Sequence, residues 1–368
     1  MKQLPRWLHS KGFRVFFGCL VAICLFWGGE KYIRTHPFPP TTDYVQEPIV
    51  LPKGIKQNLA GNGPGWLSND EMFFETISDS RKPLEDQVCY VSYNLKTRRL
   101  AYYKSLWRTI LSKRLEVVTS ALAPQSRRLF WRGEKQCGTI SLDGKAQTFP
   151  MPQKHAGKLY YPDDFGEGCL SGDGSKWYAP FWGRNSPGYQ CRIAAFGISS
   201  KPYADPKIFN ADFTPSGIRY PPHGRSGMVY PPYLLGEIAP NRILAIDPSF
   251  WYSGALPNAP HKVELLDVRL EREEAKVTRI PVQSPPHTRP SRIALSPDKR
   301  RLAWIFNVYN RQNEIESTEL WVSRADGSDL QPVGTHPYEA ALGHIQWLPD
   351  GSGVDFLYAG NTYLFRFP

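Results

Sequence analysis

The amino-acid sequence predicts an all-β fold, a six-bladed β-propeller preceded by a single N-terminal transmembrane helix. Three observations lead to this prediction. Short apolar alternations separated by turns recur along most of the 368 residues. The recurring unit spans about 40–50 residues and holds about four strands, which is typical of propeller blades. An uncharged apolar run near the N-terminus approaches the length of a membrane span.

The repeating unit is most regular between Ser291 and Gly327. An apolar alternation leads into the turn Ser296–Lys299, a second apolar run extends from Leu302 to Phe306, and a third strand ends at Asp326-Gly327. Alternating apolar residues place one side of each strand in a core, while proline and Asp-Gly supply turn geometry. We therefore expect three strands joined by hairpin turns, most of a four-stranded antiparallel sheet.

Copies of this unit occur on both sides of the stretch. His344–Leu357 repeats the strand, the Pro-Asp turn and the second strand, and Ala121–Trp131 matches Ala294–Trp304 through the same Arg-Arg-Leu sequence. Weaker copies begin at Trp66, at Cys169 and near Ile243, the last being the least regular. Six units result. A β-sandwich, or several small β domains, is the alternative, because regular turn spacing also suits sandwiches.

The turns of these units resemble those of a known family. A Ser-Pro-Asp turn before the second strand, and an Asp-Gly turn after a strand containing Leu-Trp, resemble the repeats of TolB-like β-propellers, most sharply in Ile293–Leu330 and His344–Leu357. Pro-Gln-Ser at 124–126, Ser-Asn-Asp at 68–70 and Gly-Asp-Gly at 172–174 depart from the family turn. The resemblance implies a membrane-tethered, non-catalytic propeller that acts as a binding, scaffold or sensing module at the cell envelope.

Residues 13–29 are predicted to be a transmembrane signal anchor. They number about 17, the short limit for crossing a bilayer core, and Arg14 lies where its side chain can reach the interface. Lys2, Arg6 and Lys11 precede the run. This positive flank places residues 1–12 in the cytoplasm and the propeller outside it, in the periplasm or at the cell exterior. A cleaved signal peptide is the alternative, although no Ala-x-Ala site follows the run.

The rest of the chain divides into two parts. Residues 30–47 are predicted to be a Pro-rich linker, and residues 48–368 the propeller. The last unit shows three strands, the third near Asn361–Phe367. We therefore expect a strand at Pro48–Lys56 to complete that sheet and to close the ring, because an unpaired strand would expose backbone donors and acceptors.

Motifs of the common enzyme classes are missing from the sequence. It contains no Gly-x-Ser-x-Gly elbow, no His-Glu-x-x-His and no Gly-rich phosphate loop. The histidines, including His344, lie among Pro- and Gly-rich stretches and are interpreted as surface or turn residues. No catalytic residue, cofactor or metal site is predicted. The alternative is an envelope hydrolase or lyase that acts on a sugar or lactone, with acid and base residues gathered at the channel mouth, because such a site leaves no local motif.

The cysteines leave the redox state open. Cys89, Cys137, Cys169 and Cys191 lie beyond the apolar run. An exported domain permits two disulfides among them, with Cys169–Cys191 the first pair to test, while four buried thiols are the alternative. No cysteine spacing suits zinc.

Positive charge is concentrated in one part of the chain. The net charge is +11, and the window Lys96–Lys135 contains many Lys and Arg residues but only Glu116 and Glu134 as acids. Interleaved aromatic residues make this a predicted basic face for a protein, an anionic envelope polymer or lipid headgroups, and not for nucleic acid. A solvated face is the alternative, and the loop Tyr220–Tyr233 is the next candidate. The predicted binding residues are Arg98, Arg99, Lys113, Arg114, Arg127 and Arg128.

Overall fold

A computed structural model describes most of the chain after residue 44. The described residues are 45–53, 55, 65–77, 88–123, 127–132, 136–150, 154–155, 158–159, 168–182, 191–197, 207–211, 213, 232–247, 263–310, 312, 314–337, 344–358 and 361–367. They are mostly in β-strands arranged in propeller-like sheets. The predicted anchor (13–29), most of the linker and most of the loop Tyr220–Tyr233 lie outside these ranges. No helix within them is long and apolar enough to cross a bilayer.

The strands follow one another along the chain with a single helix between them in the described ranges. The helix is α1 (Lys104–Lys113). The strands are β1 (Val45–Pro48), β2 (Gly65–Ser68), β3 (Glu71–Ile77), β4 (Val88–Asn94), β5 (Leu100–Tyr102), β6 (Glu116–Ala123), β7 (Arg128–Arg132), β8 (Gln136–Ser141), β9 (Ala146–Pro150), β10 (Lys154–His155), β11 (Lys158–Leu159), β12 (Cys169–Leu170), β13 (Lys176–Trp182), β14 (Cys191–Gly197), β15 (Lys207–Ala211), β16 (Tyr233–Ala239), β17 (Arg242–Ile246), β18 (Val263–Glu271), β19 (Glu274–Val282), β20 (Thr288–Leu295), β21 (Arg301–Tyr309), β22 (Ile315–Arg324), β23 (Gln331–Pro337), β24 (Ile345–Trp347), β25 (Gly353–Tyr358) and β26 (Asn361–Arg366).

Successive strands pair antiparallel into sheets. Strands β2–β5, β6–β9 and β20–β23 form four-stranded sheets, and β24–β26 form another together with β1. Strands β12–β15 and β16–β19 are two such groups, which the parallel pair β15–β19 joins into one eight-stranded sheet. The first strands of neighbouring groups contact each other, from β2 and β6 through to β20 and β24. The first strand of each group therefore lies on the inner side of the arrangement.

The most regular unit has the predicted hairpins. The turn between β20 and β21 is closed by the amide of Lys299, which donates to the Ser296 carbonyl at 2.8 Å. Lys299 has a φ of 64°, a left-handed conformation that is uncommon outside glycine and is held here by the Ser296–Asp298 side-chain hydrogen bond of 2.6 Å. In the adjoining ladder Trp304 pairs with Trp321. The predicted turn and strand pattern are thus confirmed in this unit.

Apolar side chains fill the space between neighbouring sheets. Leu129 and Ile140 of the second sheet pack with Phe73 of the first, and similar clusters lie between each later pair of groups. Large flat side chains suit this role, because they cover much area between two twisted sheets. A further cluster joins the first sheet to the last, through Trp66 and Leu364. The first and last sheets are therefore packed neighbours.

An N-terminal strand completes the last sheet, but not at the predicted position. Strand β1 pairs antiparallel with β26, from Val45 opposite Arg366 to Pro48 opposite Tyr363. The prediction placed this strand at Pro48–Lys56 and assigned residues 45–47 to the linker. The correction follows from the hydrogen bonding of an edge strand: its ladder requires only backbone groups, so the polar segment Val-Gln-Glu pairs as well as an apolar one. The apolar residue Ile49 instead packs between the first and last sheets.

Helix α1 was not predicted, because the propeller was expected to contain strands alone. Leu106 and Ile110 are four residues apart, so both lie on one side of the helix and are buried in the apolar cluster between the first and second sheets. The helix ends at Arg114, whose left-handed backbone (φ 49°) lets its amide reach the carbonyl oxygens of Ile110 and Leu111. The helical spacing of Leu106 and Ile110 was the available sequence signal.

Two further expectations need correction. The fourth unit begins at β16, so the copy predicted near Ile243 is its second strand, Arg242–Ile246, rather than its first. The turn between β16 and β17 contains Asn241 at a φ of 60° in place of a Ser-Pro-Asp turn. Cys169 has a free thiol, so the Cys169–Cys191 disulfide is not formed. Burial, and secondarily the nearby Glu237 carboxylate, raise the pKa of the Cys169 thiol to about 12. Such a thiol stays protonated and unreactive.

Candidate functional site

A histidine and a buried aspartate meet at the inner side of the last sheet. His344 immediately precedes β24, at the end of that strand opposite the Pro349–Asp350 turn. Asp355 lies in β25 and its side chain has no exposed surface. The distance from His344 Nε2 to Asp355 Oδ1 is 3.5 Å, and 17% of the histidine side chain remains exposed. The pair therefore connects a fully buried carboxylate to a surface that solvent reaches.

The first sheet holds the other oxygen of this carboxylate. Trp66 of β2 donates its indole N–H to Asp355 Oδ2 at 3.0 Å. Trp66 is itself buried. This hydrogen bond crosses the junction between the first and last sheets, so packing of these sheets fixes the position of Asp355.

Two atoms of the pair lack a hydrogen-bond partner. Among the described residues, Asp355 Oδ1 and His344 Nε2 are buried and neither makes a hydrogen bond of standard geometry. Burying a carboxylate without full compensation is costly, and an orphaned buried polar atom needs an explanation. Catalytic hydrogen bonds are often long without substrate and shorten in the complex. A proton on Nε2 would face the carboxylate and leave Nδ1 as an acceptor.

A second buried carboxylate shows the contrasting, fully satisfied case. Glu237 of β16 accepts hydrogen bonds from the Tyr178 hydroxyl at 2.8 Å, from the Gly172 amide at 2.8 Å and from the Asn241 amide at 3.0 Å. Burial, and secondarily the hydrogen bond to Glu237, raise the pKa of the Tyr178 hydroxyl well above its usual value. Glu237 therefore joins two neighbouring strand groups, and both of its carboxylate oxygens accept hydrogen bonds. Asp355 differs because one of its oxygens, Oδ1, accepts no hydrogen bond of standard geometry.

The sequence interpretation of His344 as a surface or turn residue is wrong. The ring is mostly buried and faces a carboxylate. The only sequence signal was its place at the head of the His344–Leu357 repeat. Asp355 and Trp66 are far apart in sequence, so their contact depends on the packing of the first sheet on the last.

The predicted basic residues divide between the two ends of the sheets. Arg98 and Arg99 lie in or beside the turn before β5, and Arg127 and Arg128 lie at the start of β7. These four share one end, since Glu71 at the start of β3 approaches Arg127 within 3.8 Å. Lys113 and Arg114 lie at the end of α1, just before the first residue of β6. Strand β6 then runs along the sheet to the turn that contains Arg127. Lys113 and Arg114 therefore lie at the opposite end of the sheet from the four arginines.

The four arginines at the turn end differ in their contacts. Arg127 is half exposed and donates to the Tyr103 hydroxyl at 3.0 Å. Arg128 is partly buried and donates to Gln147 Oε1 at 2.7 Å. Arg98 and Arg99 are exposed. Arg127 lies in the turn, as expected from the match to Ser296–Lys299, and has a φ of 50°.

Metal ligands are not gathered in the described part of the chain. No group of three or more His, Cys, Asp or Glu side chains within it is arranged to hold an ion. Asp173 hydrogen-bonds to Ser171 and Ser175 within its own turn, at 2.5 and 2.8 Å. These bonds account for the carboxylate as a turn residue.

No protein-family model matches this chain, and no curated protein does. Solved structures similar to it include a gluconolactonase from Xanthomonas campestris, with a TM-score of 0.45, 11% identity, and coverage of 90% of this chain and 99% of that chain. Prolyl endopeptidase gives a TM-score of 0.45 at 9% identity, covering 96% of this chain and 52% of that chain. Hydrazine synthase from Kuenenia stuttgartiensis gives a TM-score of 0.41 at 12% identity, covering 88% and 99%. No residue role or substrate is carried over from proteins this distant.

The prediction of a non-catalytic binding or scaffold module is wrong as the main interpretation. It rested on the absence of a local catalytic motif. The similar propeller-like structures include a gluconolactonase and prolyl endopeptidases, which are enzymes. The enzymatic alternative is the one taken up in the proposal below.

Proposed function

We propose that this chain is an enzyme of the cell envelope, a hydrolase or lyase that acts on a sugar or lactone. Its site lies at the mouth of the channel, where His344 precedes the innermost strand of the last sheet. The observation that carries the proposal is the His344–Asp355 couple: a partly exposed imidazole 3.5 Å from a carboxylate with no exposed surface. An imidazole oriented by a buried carboxylate is suited to general acid–base catalysis.

The chemistry is simplest for a lactone. Asp355 orients the ring of His344 through Nε2, and the other ring nitrogen accepts a proton from water. The water oxygen attacks the carbonyl carbon, and the ring C–O bond breaks. The imidazolium then returns its proton to the departing alkoxide oxygen, so the products are a hydroxy acid and the original enzyme. In a lyase, the same nitrogen would remove a proton from the carbon next to a carboxylate, the C–O bond on the neighbouring carbon would break as the C=C bond forms, and the imidazolium would return the proton to the departing oxygen.

The proposal includes a finer architecture. The sheets are proposed to form a six-bladed, TolB-like ring, with residues 13–29 as an uncleaved anchor that holds it outside the cytoplasm. Packing of Trp66 against the last sheet and the pairing of β1 with β26 support a closed ring. The apolar run and the positive residues before it support the anchor.

The basic residues are proposed to contact an anionic partner in the envelope, a polymer or headgroups, apart from the catalytic site. Arg98, Arg99, Arg127 and Arg128 share the turn end of the first two sheets, which supports a common role for these four. Lys113 and Arg114 would act separately at the other end.

A hydrolysis screen tests the proposed activity. The full-length protein is incubated with a panel of aldonolactones and aryl glycosides, alongside His344→Gln and the control His287→Gln, which alters an exposed turn histidine. We expect hydrolysis of at least one panel member, a loss of about a hundredfold or more in His344→Gln, and no change in His287→Gln. Equal activity of His344→Gln and the parent protein would refute the assignment, as would the absence of hydrolysis across the panel.

A further inference from the structure

A cavity of about 690 Å³ opens at the turn end of the first two sheets. It lies between the start of α1 and the turn that joins β8 to β9. The helix is held against that turn by Thr109, whose hydroxyl donates to the Gly144 carbonyl at 3.1 Å. A volume of this size is typical of sites for small organic ligands. The cavity is remote in the fold from His344, which lies at the opposite end of the last sheet.

Two cations line this cavity. Lys104 has neither an ion-pair nor a hydrogen-bond partner among the residues that the structure describes. The Arg127 guanidinium is half exposed; it donates to Tyr103 and is 3.8 Å from Glu71, so some of its donors remain available. A carboxylate between the two side chains would receive charge-assisted hydrogen bonds from both.

The rest of the lining combines apolar surface, including Leu142 and two tyrosine rings, with polar groups. Hydroxyl groups come from Tyr102, Tyr103 and Ser141, and one carboxylate comes from Asp143. Asp143 would repel an anion, but Lys145 approaches it within 2.9 Å and offsets its charge. The Ser141 hydroxyl and Lys145 hold the pKa of Asp143 at about 2, so it is an acceptor for hydroxyl groups. The ring of Tyr102 is 53% exposed and presents a flat surface.

We propose that this cavity binds an acidic saccharide. The sugar carboxylate would contact Lys104 and Arg127, its hydroxyl groups would bond to Asp143 and the serine and tyrosine hydroxyls, and one ring face would lie on Tyr102. The acceptor carboxylate of Asp143 and the hydroxyl groups beside it match the hydroxyl groups of a sugar, which an acyl chain lacks, so the lining favours a polyhydroxylated anion over a lipid tail. The site would hold the protein on an acidic polysaccharide independently of what His344 does.

Calorimetric titration of the full-length protein with trigalacturonate tests this site. We expect saturable binding that weakens from low to physiological salt, because exposed charges are screened beyond about 8 Å. Lys104→Gln should weaken binding about tenfold or more, since it removes a charge-assisted hydrogen bond. Arg127→Gln should do the same, and Tyr102→Ser should weaken it to a lesser degree.

Arg272→Gln is the matched control, because Arg272 is an exposed arginine in a strand-joining turn with the same φ of 50° as Arg127. Its binding should equal that of the parent protein. Lys104→Gln decides the outcome if Arg127→Gln lowers the melting temperature, since the Lys104 side chain holds no other group. No binding of trigalacturonate, unchanged binding in Lys104→Gln, or tight binding only to phosphatidylglycerol vesicles would overturn the proposal.

Discussion

Asp355 and its two neighbours, Trp66 and His344, are the residues on which the proposed chemistry depends. One carboxylate oxygen accepts from Trp66, and the other faces His344 without a standard hydrogen bond. A structural carboxylate is usually satisfied as fully as Glu237 is, with three donors. The incomplete satisfaction of Asp355 is therefore better explained by a role in orienting His344 than by packing alone.

Trp66→Phe is predicted to cost more stability than the same change at Trp304. Trp66 donates to a buried carboxylate, whereas Trp304 donates to the Ser323 hydroxyl at 2.8 Å. Loss of a bond to a charged group costs about 1.5–3 kcal/mol, against about 1 kcal/mol for a neutral one. Urea unfolding at pH 7 measures both free energies of unfolding. An equal or smaller loss in Trp66→Phe would show that the indole contributes little to holding Asp355.

Individual elements differ in how far the sequence predicts them. The hairpin between β20 and β21 is predictable because Ser296, Asp298 and Lys299 determine the turn locally. Helix α1 was not predicted, because strands alone were expected in a propeller and only two residues, Leu106 and Ile110, form its buried side. The site was missed for another reason: His344 precedes β24, Asp355 lies eleven positions later in β25, and Trp66 belongs to the first sheet. The antiparallel pairing of β24 with β25 brings His344 close to Asp355, and the packing of the first sheet on the last adds Trp66.

Strand β1 is predicted to stabilise the junction that positions Asp355. It pairs with β26, and the Ile49 amide continues the ladder by donating to the Thr362 carbonyl at 2.9 Å. Deleting residues 1–49 should cost about 2–4 kcal/mol, because several backbone hydrogen bonds worth about 1 kcal/mol each are lost. Deleting residues 1–40 is the control and should leave the melting temperature unchanged. Equal melting temperatures for the two shortened chains would contradict the role of β1 in closure.

Across the whole molecule, the same turn chemistry recurs at several aspartates. Asp298, Asp326 and Asp350 each accept a hydrogen bond from a backbone amide two residues later, and each has a pKa below its usual value. Hydrogen bonds to the neighbouring serines lower the pKa of Asp143 and of Asp173 to about 2. The folded state therefore binds fewer protons at these sites than the unfolded chain does.

Acid is predicted to weaken the fold for this reason. A carboxyl group whose pKa is lowered by folding stabilises the folded state at any pH above its pKa in the unfolded chain, which is about 4. This contribution is lost as the pH falls towards about 2. The melting temperature should therefore decrease steadily from pH 5 to pH 2.5, and Asp173→Asn should make that decrease shallower. A melting temperature that stays constant over this range would contradict the prediction.

The central claim is that the His344–Asp355 couple performs catalysis, and the most direct test is the kcat of Asp355→Asn on the best substrate of the hydrolysis panel. The substitution keeps the shape of the side chain and an oxygen for Trp66 but removes the charge that orients the imidazole. Asp267→Asn is the control, because Asp267 is also buried but is paired with Arg242 at 2.8 Å, away from His344. The account predicts that kcat falls about a hundredfold or more in Asp355→Asn, with its circular dichroism unchanged, and stays at the parent value in Asp267→Asn. A folded Asp355→Asn protein with the kcat of the parent would contradict it.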